Sequence, residues 1–369
     1  MSSLMITSEA PVRPPTGRIR RRASCPALGC PSSTKDSLLH PPSSPLTRRR
    51  RRTITITATT GGCTPSSIQW VLDTRPLWPR ATRTAQLADH AARALAVLPP
   101  HERQEVLRYV HVRDAKMALG SRLLKRYLIA RYASVPWDRA VTTRNSDTKP
   151  VFRRPDGSEP LSFNVSHQAG LVVLVASVLR PAELGVDVVC PTERRDRDLG
   201  LIRAEGWPSF VDMHAEVFGR DEVSRLHGLG STLRDQDHRL RYFYTLWCIR
   251  EAYVKMTGEA LLAPWLRDLE MRYFVPAEDA SASQTEIWLR GRRVDDVDLR
   301  LVNVLAGFTV CTAVRRDGQG AGGLELGEYE LLDVEEVISF GERSRRGAGP
   351  ESRLVESHKE ESACLENIA

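Results

Sequence analysis

Trp247-Cys248-Ile249-Arg250-Glu251-Ala252-Tyr253-Val254-Lys255 is the stretch on which the reading of this chain turns. Positions 247, 251 and 255 are four apart, so on a helix Trp, Glu and Lys form one ridge, with Arg250 flanking Glu251. Phe243, Leu246, Ile249, Ala252, Tyr253 and Val254 are apolar, which predicts a helix buried over much of its circumference. Gly258 stands where a helix-ending residue belongs. A Glu–Lys pair at this spacing is ordinary on an exposed helix and contributes little there. On a buried helix, the same Glu between two cations is a candidate metal or catalytic group. Taken alone, the helix is compatible with either.

Outward from the helix, Glu183-Leu184-Gly185-Val186-Asp187-Val188-Val189 is a short strand carrying one acid in an apolar run. Strand alternation puts Val186 and Val188 on one face and Asp187 with Val189 on the other. A buried carboxylate needs a cation, hydrogen-bond donors or a metal, whereas a strand-end Asp that caps a turn needs none of these. Further upstream, Leu161-Ser162-Phe163-Asn164-Val165-Ser166-His167-Gln168-Ala169-Gly170 leads into Leu171–Ala176, a buried strand. Ala306-Gly307 before Phe308–Ala313 repeats the Ala-Gly-then-strand form and hints at two similar halves.

Arg144-Asn145-Ser146-Asp147-Thr148-Lys149-Pro150 is a polar loop, and a long helical stretch is expected from Pro100 to Arg131. Most of that helix's cations belong to a solvated face. Residues 190–238 are charged and helix-prone, and the chain from about Gly341 is polar and expected to fray.

Gly185-x-Asp187 followed by Trp247-x-x-Arg250-Glu251-Ala252-x-x-Lys255 resembles the paired signature of the phosphopantetheinyl transferase superfamily. Phe163-Asn164-Val165-Ser166-His167 resembles that family's F-N-x-S-H segment, and the 144–150 loop resembles its cofactor loop ending in Lys-Pro. Arg113-Asp114-Ala115-Lys116 resembles an early segment of the larger members. The motifs stand in the family's order across about residues 68 to 315, and their spacing is most similar to the eukaryotic and fungal type that activates aminoadipate-semialdehyde dehydrogenase.

The resemblance implies an α+β fold of two similar halves, roughly 67–180 and 181–340, with coenzyme A in the cleft between them. It implies transfer of 4′-phosphopantetheine from coenzyme A to a serine of an acyl or peptidyl carrier domain, releasing 3′,5′-ADP. Asp187 and Glu251 are the implied Mg²⁺ ligands, with Glu251 also the base for the incoming serine. Lys255 is implied at the leaving phosphate, with Arg250 as a supporting cation in place of the family's usual Lys. Ser166 and His167 are implied contacts of coenzyme A, and Arg144, Lys149 and Pro150 form the nucleotide grip. Glu105 sits where several relatives carry a cation near the 3′-phosphate, so Arg103 or Arg108 would substitute. Val189 stands where bacterial members place a third carboxylate ligand and cannot coordinate, which leaves that position to water or the metal less tightly held.

Composition sets the remaining bounds. The chain has 369 residues and a net charge of +7, but residues 1–66 alone carry eleven basic residues against two acids. The rest is therefore about −2, a poor match for a nucleic-acid-binding fold. Those first residues are rich in Ser, Thr, Pro and Arg, so disorder is expected. An organellar transit peptide is the alternative, although the prolines would spoil an amphipathic helix. Seven scattered cysteines without a C-x-x-C argue against zinc and disulfides.

No run is long and apolar enough for a membrane span. The expectation is a cytoplasmic monomer, or a mitochondrial one if the tail targets it, acting on acidic carrier domains of fatty-acid synthase, polyketide synthase, non-ribosomal peptide synthetase or aminoadipate reductase. The rival functions are a nucleic-acid binder working through the arginine runs, a Ser166–His167–Asp187 hydrolase and a catalytically dead scaffold. The hydrolase lacks the G-x-S-x-G elbow.

Overall fold

The computed structural model describes residues 66–145, 149–178, 181–230, 233–259, 263–276, 285–316 and 324–347. The basic runs at 18–22 and 48–52 lie outside them, as do residues 146–148 of the polar loop.

One plan is used twice. Strand β1 (Ser67–Asp73) is followed by the long helix α1 (Val112–Tyr132) and a hairpin of β2 (Ser162–Gln168) and β3 (Leu171–Ser177). The second pass has β4 (Leu184–Val189), the long helix α2 (Leu233–Thr257) and a hairpin of β5 (Val297–Val304) and β6 (Phe308–Arg315). In both, the lone strand pairs antiparallel with the second strand of the hairpin, β1 with β3 and β4 with β6. The Ala-Gly echo in the sequence is the hairpin turn. Gly170 and Gly307 hold φ of +88° and +84°, a region that glycine enters without a Cβ clash.

The run Leu171–Ala176 is continuously apolar because both of its faces are covered. Val172, Leu174 and Ala176 join Trp70, Leu72 and the inner face of α1, including Leu119, Leu123 and Tyr127. Leu171, Val173 and Val175 face the other way, onto Leu184, Val186, Val188, Phe308 and Val310 of the second sheet. Gly185 lies against α2 from the sheet's other side. The order of layers is therefore helix, sheet, sheet, helix, an α+β fold with one core between the sheets.

Two expectations are corrected. The helix foreseen from Pro100 to Arg131 is two helices, Pro100–Leu107 and α1, because His111 is extended at φ −99°, ψ 129°. The segment expected to fray from Gly341 is helical as far as Gly347, within helix α3 (Val334–Gly347). Val334, Val337 and Ile338 of α3 are buried in the first half's core, and Phe340 meets Tyr127 edge-on at 5.1 Å. Just before α3, Glu330–Leu331 pairs parallel with β1, so this stretch completes the first sheet rather than the second. Acids in the first turn of α3 and arginines in the last suit the helix dipole.

Candidate active site

Gly185 explains how the site is assembled. A Cβ at this position would lie 2.2 Å from the Ala252 carbonyl and 2.4 Å from the Met256 nitrogen, so only glycine lets α2 lie on β4. That close packing brings Asp187 onto the Glu–Lys ridge. Lys255 Nζ donates to Asp187 Oδ1 at 2.6 Å and to Ser166 Oγ at 3.0 Å, and Ser166 Oγ donates to the same Asp187 oxygen at 2.8 Å. Asp187 is fully buried, and Ser166 and Glu251 nearly so.

Two carboxylate oxygens are left over. Asp187 Oδ2 and Glu251 Oε1 are buried and accept no hydrogen bond. Burial pushes the Glu251 carboxyl up to about 7, Lys255 opposing the rise and Asp187 adding to it. Burial alone would lower the Lys255 ammonium, but Asp187 and Glu251 more than offset that and hold it above its ordinary value. Below the site, the Cys248 thiol reaches the Asp187 carbonyl at 3.4 Å and is raised well above the usual range by burial, so it stays protonated. Among the described residues no three His, Cys, Asp or Glu side chains converge where they could hold a metal ion.

Arg250 does not join this group. Its Nη1 donates to Glu222 and to the Leu269 carbonyl, both at 2.7 Å, and its Nη2 to the Leu266 carbonyl at 2.5 Å. The expected supporting cation is thus a buried tie between α2, the helix Arg220–His227 and the strand Leu269–Arg272. His167 sits on the opposite face of β2 from Ser166, which separates the two side chains a hydrolase would have to pair. Burial, then the nearby Lys255, lowers its imidazole to about 4, so it is neutral at ordinary pH.

The 144–150 loop reaches the same helix end. Arg144 pairs with Pro150, the Asn145 amide donates to the Lys149 carbonyl at 3.0 Å, and Lys149 Nζ donates to the Met256 carbonyl at 2.5 Å, one residue past Lys255. Arg103 turns back onto the Leu98 carbonyl at 2.9 Å, and Arg108 is exposed.

Asn164, inside the F-N-x-S-H segment, and Gln168, just after it, make contacts to which the sequence assigns no role. Asn164 Oδ1 accepts from the Val186 amide at 3.0 Å, and Gln168 Oε1 from the Cys190 amide at 3.1 Å. The period-two run Asn164-x-Ser166-x-Gln168 was the available signal. Beyond Val189, a cavity of about 240 Å³ opens among Thr192, Leu240, Arg241, Thr245, Pro276 and Asn303.

Residues 86–179 match the family model for the 4′-phosphopantetheinyl transferase N-terminal domain, and residues 183–308 that of the 4′-phosphopantetheinyl transferase superfamily. The chain is 56% identical to 4′-phosphopantetheinyl transferase 1 of Fusarium mangiferae over 76% of its own length and 97% of that protein. It is 32% identical to 4′-phosphopantetheinyl transferase A of Aspergillus fumigatus over 70% of its length and 85% of that protein. The human L-aminoadipate-semialdehyde dehydrogenase-phosphopantetheinyl transferase is 29% identical over 46% of the chain and 50% of its own length. With both family models falling on the two halves of the fold, the chain belongs to the 4′-phosphopantetheinyl transferase superfamily, enzymes that carry phosphopantetheine from coenzyme A to carrier proteins.

Proposed function

We propose that this transfer takes place at Asp187, Glu251 and Lys255, with Mg²⁺ held by the two carboxylates. The observation that carries the proposal is the pair of buried, unpartnered oxygens, Asp187 Oδ2 and Glu251 Oε1. Leaving such atoms without a donor is costly, and hard oxygen donors fit Mg²⁺, which takes its remaining ligands from water and phosphate. When bound, Mg²⁺ would neutralise charge on the pyrophosphate of coenzyme A.

In the transfer, the carrier serine Oγ forms a bond to the β-phosphorus while the bond to the oxygen bridging the α-phosphate breaks, releasing 3′,5′-ADP. Glu251 takes the serine proton, a role suited to a carboxyl raised towards neutrality. Lys255 stays protonated and steadies the charge on the departing α-phosphate. Ser166 holds Asp187 and Lys255 together by its hydroxyl.

The outer contacts of coenzyme A are proposed at Arg144, Lys149 and Pro150, with His167 hydrogen-bonding as a neutral ring. Arg108 and Arg103 are proposed at the 3′-phosphate. The cavity beyond Val189 begins within about 10 Å of Glu251, since Thr245 is six residues up the same helix. It is proposed to take the pantetheine arm.

For the partner we propose acidic carrier domains of fatty-acid synthase, polyketide synthase, non-ribosomal peptide synthetase or aminoadipate reductase, the last suggested by the human relative's name. The basic face of α1 is a weak docking candidate. Arg122 and Arg126 are already paired with Glu105 and Glu102. No described helix is long and apolar enough to cross a membrane. A cytoplasmic monomer is the proposed state, and expressing residues 1–66 on a reporter tests the mitochondrial alternative.

The deciding experiment incubates the protein with apo carrier domains of all four classes, coenzyme A and Mg²⁺. Intact mass should show one added phosphopantetheine arm, lost when Mg²⁺ is chelated. No gain on any carrier would overturn the proposal. Removing residues 1–66 should leave the gain intact, and a nucleic-acid binder would lose its binding instead.

A further inference from the structure

β2 is an outer strand of the first sheet, and β4 is an outer strand of the second. A free edge leaves alternate backbone amides without ladder partners, and buried amides need partners. Here side chains serve. Asn164, Ser166 and Gln168, all on the face of β2 turned towards β4, reach the Val186 amide, the Asp187 carboxylate and the Cys190 amide in turn. All three side chains are buried. Gln168 is itself fixed, since its Nε2 donates at 2.9 Å to Glu193, which is paired at 2.7 Å with Arg113 at the start of α1.

We propose that Gln168, with Asn164, is a positioning residue that sets Asp187 against Ser166 and Lys255. This rests on the reading of Asp187 as a functional carboxylate. The two amides held by the comb lie on either side of Asp187, at one residue before it and three after. Together with the Ser166 bond they fix both the slide and the rotation of β4 along β2. No backbone ladder joins these two strands, so the comb supplies the hydrogen bonds that hold the acid of one half at the hydroxyl of the other. Reacting groups displaced by about 1 Å can lose about a hundredfold in rate, so a loosened comb is read in turnover before it is read in cofactor affinity.

The test compares Gln168→Met, the milder Gln168→Asn, and the exchange Gln168→Glu with Glu193→Gln. The exchange restores an acceptor for Cys190 and a donor between 168 and 193. Each is assayed for kcat, for KM of coenzyme A and for Mn²⁺ affinity by electron paramagnetic resonance, well below its melting temperature. Gln168→Met should lower kcat at least about tenfold with KM within about threefold, and should weaken Mn²⁺ severalfold. Gln168→Asn should fall between, and the exchange should return kcat to within about threefold of the parent. If Gln168→Met and Gln168→Asn melt earlier yet keep kcat and Mn²⁺ affinity within about twofold, the side chain is a structural tie only and the proposal falls. An exchange that recovers the melting temperature but not kcat overturns it too. Asp187→Asn is run alongside. If that variant still transfers, the reading of Asp187 fails; if it is dead while Gln168→Met is normal, only the positioning role fails.

Discussion

Helix α2 carries two buried ion pairs five residues apart, and they differ in how completely they are satisfied. Glu222 uses both oxygens, one accepting from the Gly219 amide and from Arg250, the other from the Met271 amide. Arg250 reaches two further carbonyls, and only its Nε lacks a partner. The Lys255–Asp187 pair uses one oxygen of Asp187 twice, for Lys255 and for Ser166, and leaves the other without a donor, next to a second carboxylate in the same condition. Both pairs carry the cost of taking charges out of water. The first recovers it through hydrogen bonds and ties three elements together. The second is left incomplete, and on the proposed function a cation and a phosphate would complete it, so that the first buried charge serves structure and the second chemistry.

The largest effect that separates them is on rate. Glu251→Gln keeps the shape and removes the charge, and transfer to a carrier should fall at least about a thousandfold, roughly 4 kcal/mol of barrier. Its melting temperature should hold or rise, because one of two repelling carboxylates is gone. Intact-mass kinetics and calorimetry on one sample check both, and a variant that transfers normally would erase the distinction between the pairs.

Glu222→Ala should do the reverse. It leaves Arg250 buried and unpaired, at a cost of about 3–5 kcal/mol in urea unfolding, while the fraction still folded turns over at the parental rate. Replacing the whole pair, Glu222→Leu with Arg250→Met, should regain most of that loss. If the double variant stays folded but loses turnover, Arg250 has a catalytic part after all.

A third difference is in pH. In metal-free protein the Glu251 carboxyl titrates at about 7, against an ordinary value of 4.5. Below 4.5 folded and unfolded chains are both protonated. Between there and about 7 the folded chain holds a proton that the unfolded one has released, so stability falls as pH rises through this window. The fall should be at most about 3 kcal/mol and flat above it. Glu251→Gln should remove this slope in chelator, whereas Glu222→Ala should leave it in place.

Much of this was legible in the sequence because the signals are local. The 247–255 ridge, Gly185 two residues before Asp187 and the Ala-Gly turns each fix a feature through spacing that a single element determines. Arg250 was misread because its spacing beside Glu251 says nothing of what lies on its own side of the helix. Glu222 and the Leu266 and Leu269 carbonyls arrive from 16 to 28 residues away. The comb was missed for the same reason, since its acceptors meet amides across two sheets. Helix α3 was hidden by composition: its apolar stripe is narrow, and the many polar residues of its outer face read as tail.

The smallest expected effect sharpens the comparison most. Val189 lies on the same strand face as Asp187, opposite Val186 and Val188, and is 1% exposed. It is also where a third carboxylate could stand. Val189→Glu should make the incomplete pair still more dependent on a cation. The metal-free protein should melt earlier, from one more buried carboxylate, and Mg²⁺ should restore more stability than in the parent. Tighter binding by about fivefold corresponds to about 1 kcal/mol, read as the added melting shift at fixed Mg²⁺, with kcat changed less than about tenfold. The same substitution at a site that took no metal would only destabilise, with and without Mg²⁺ alike, and the unpartnered oxygens of Asp187 and Glu251 would then need another explanation.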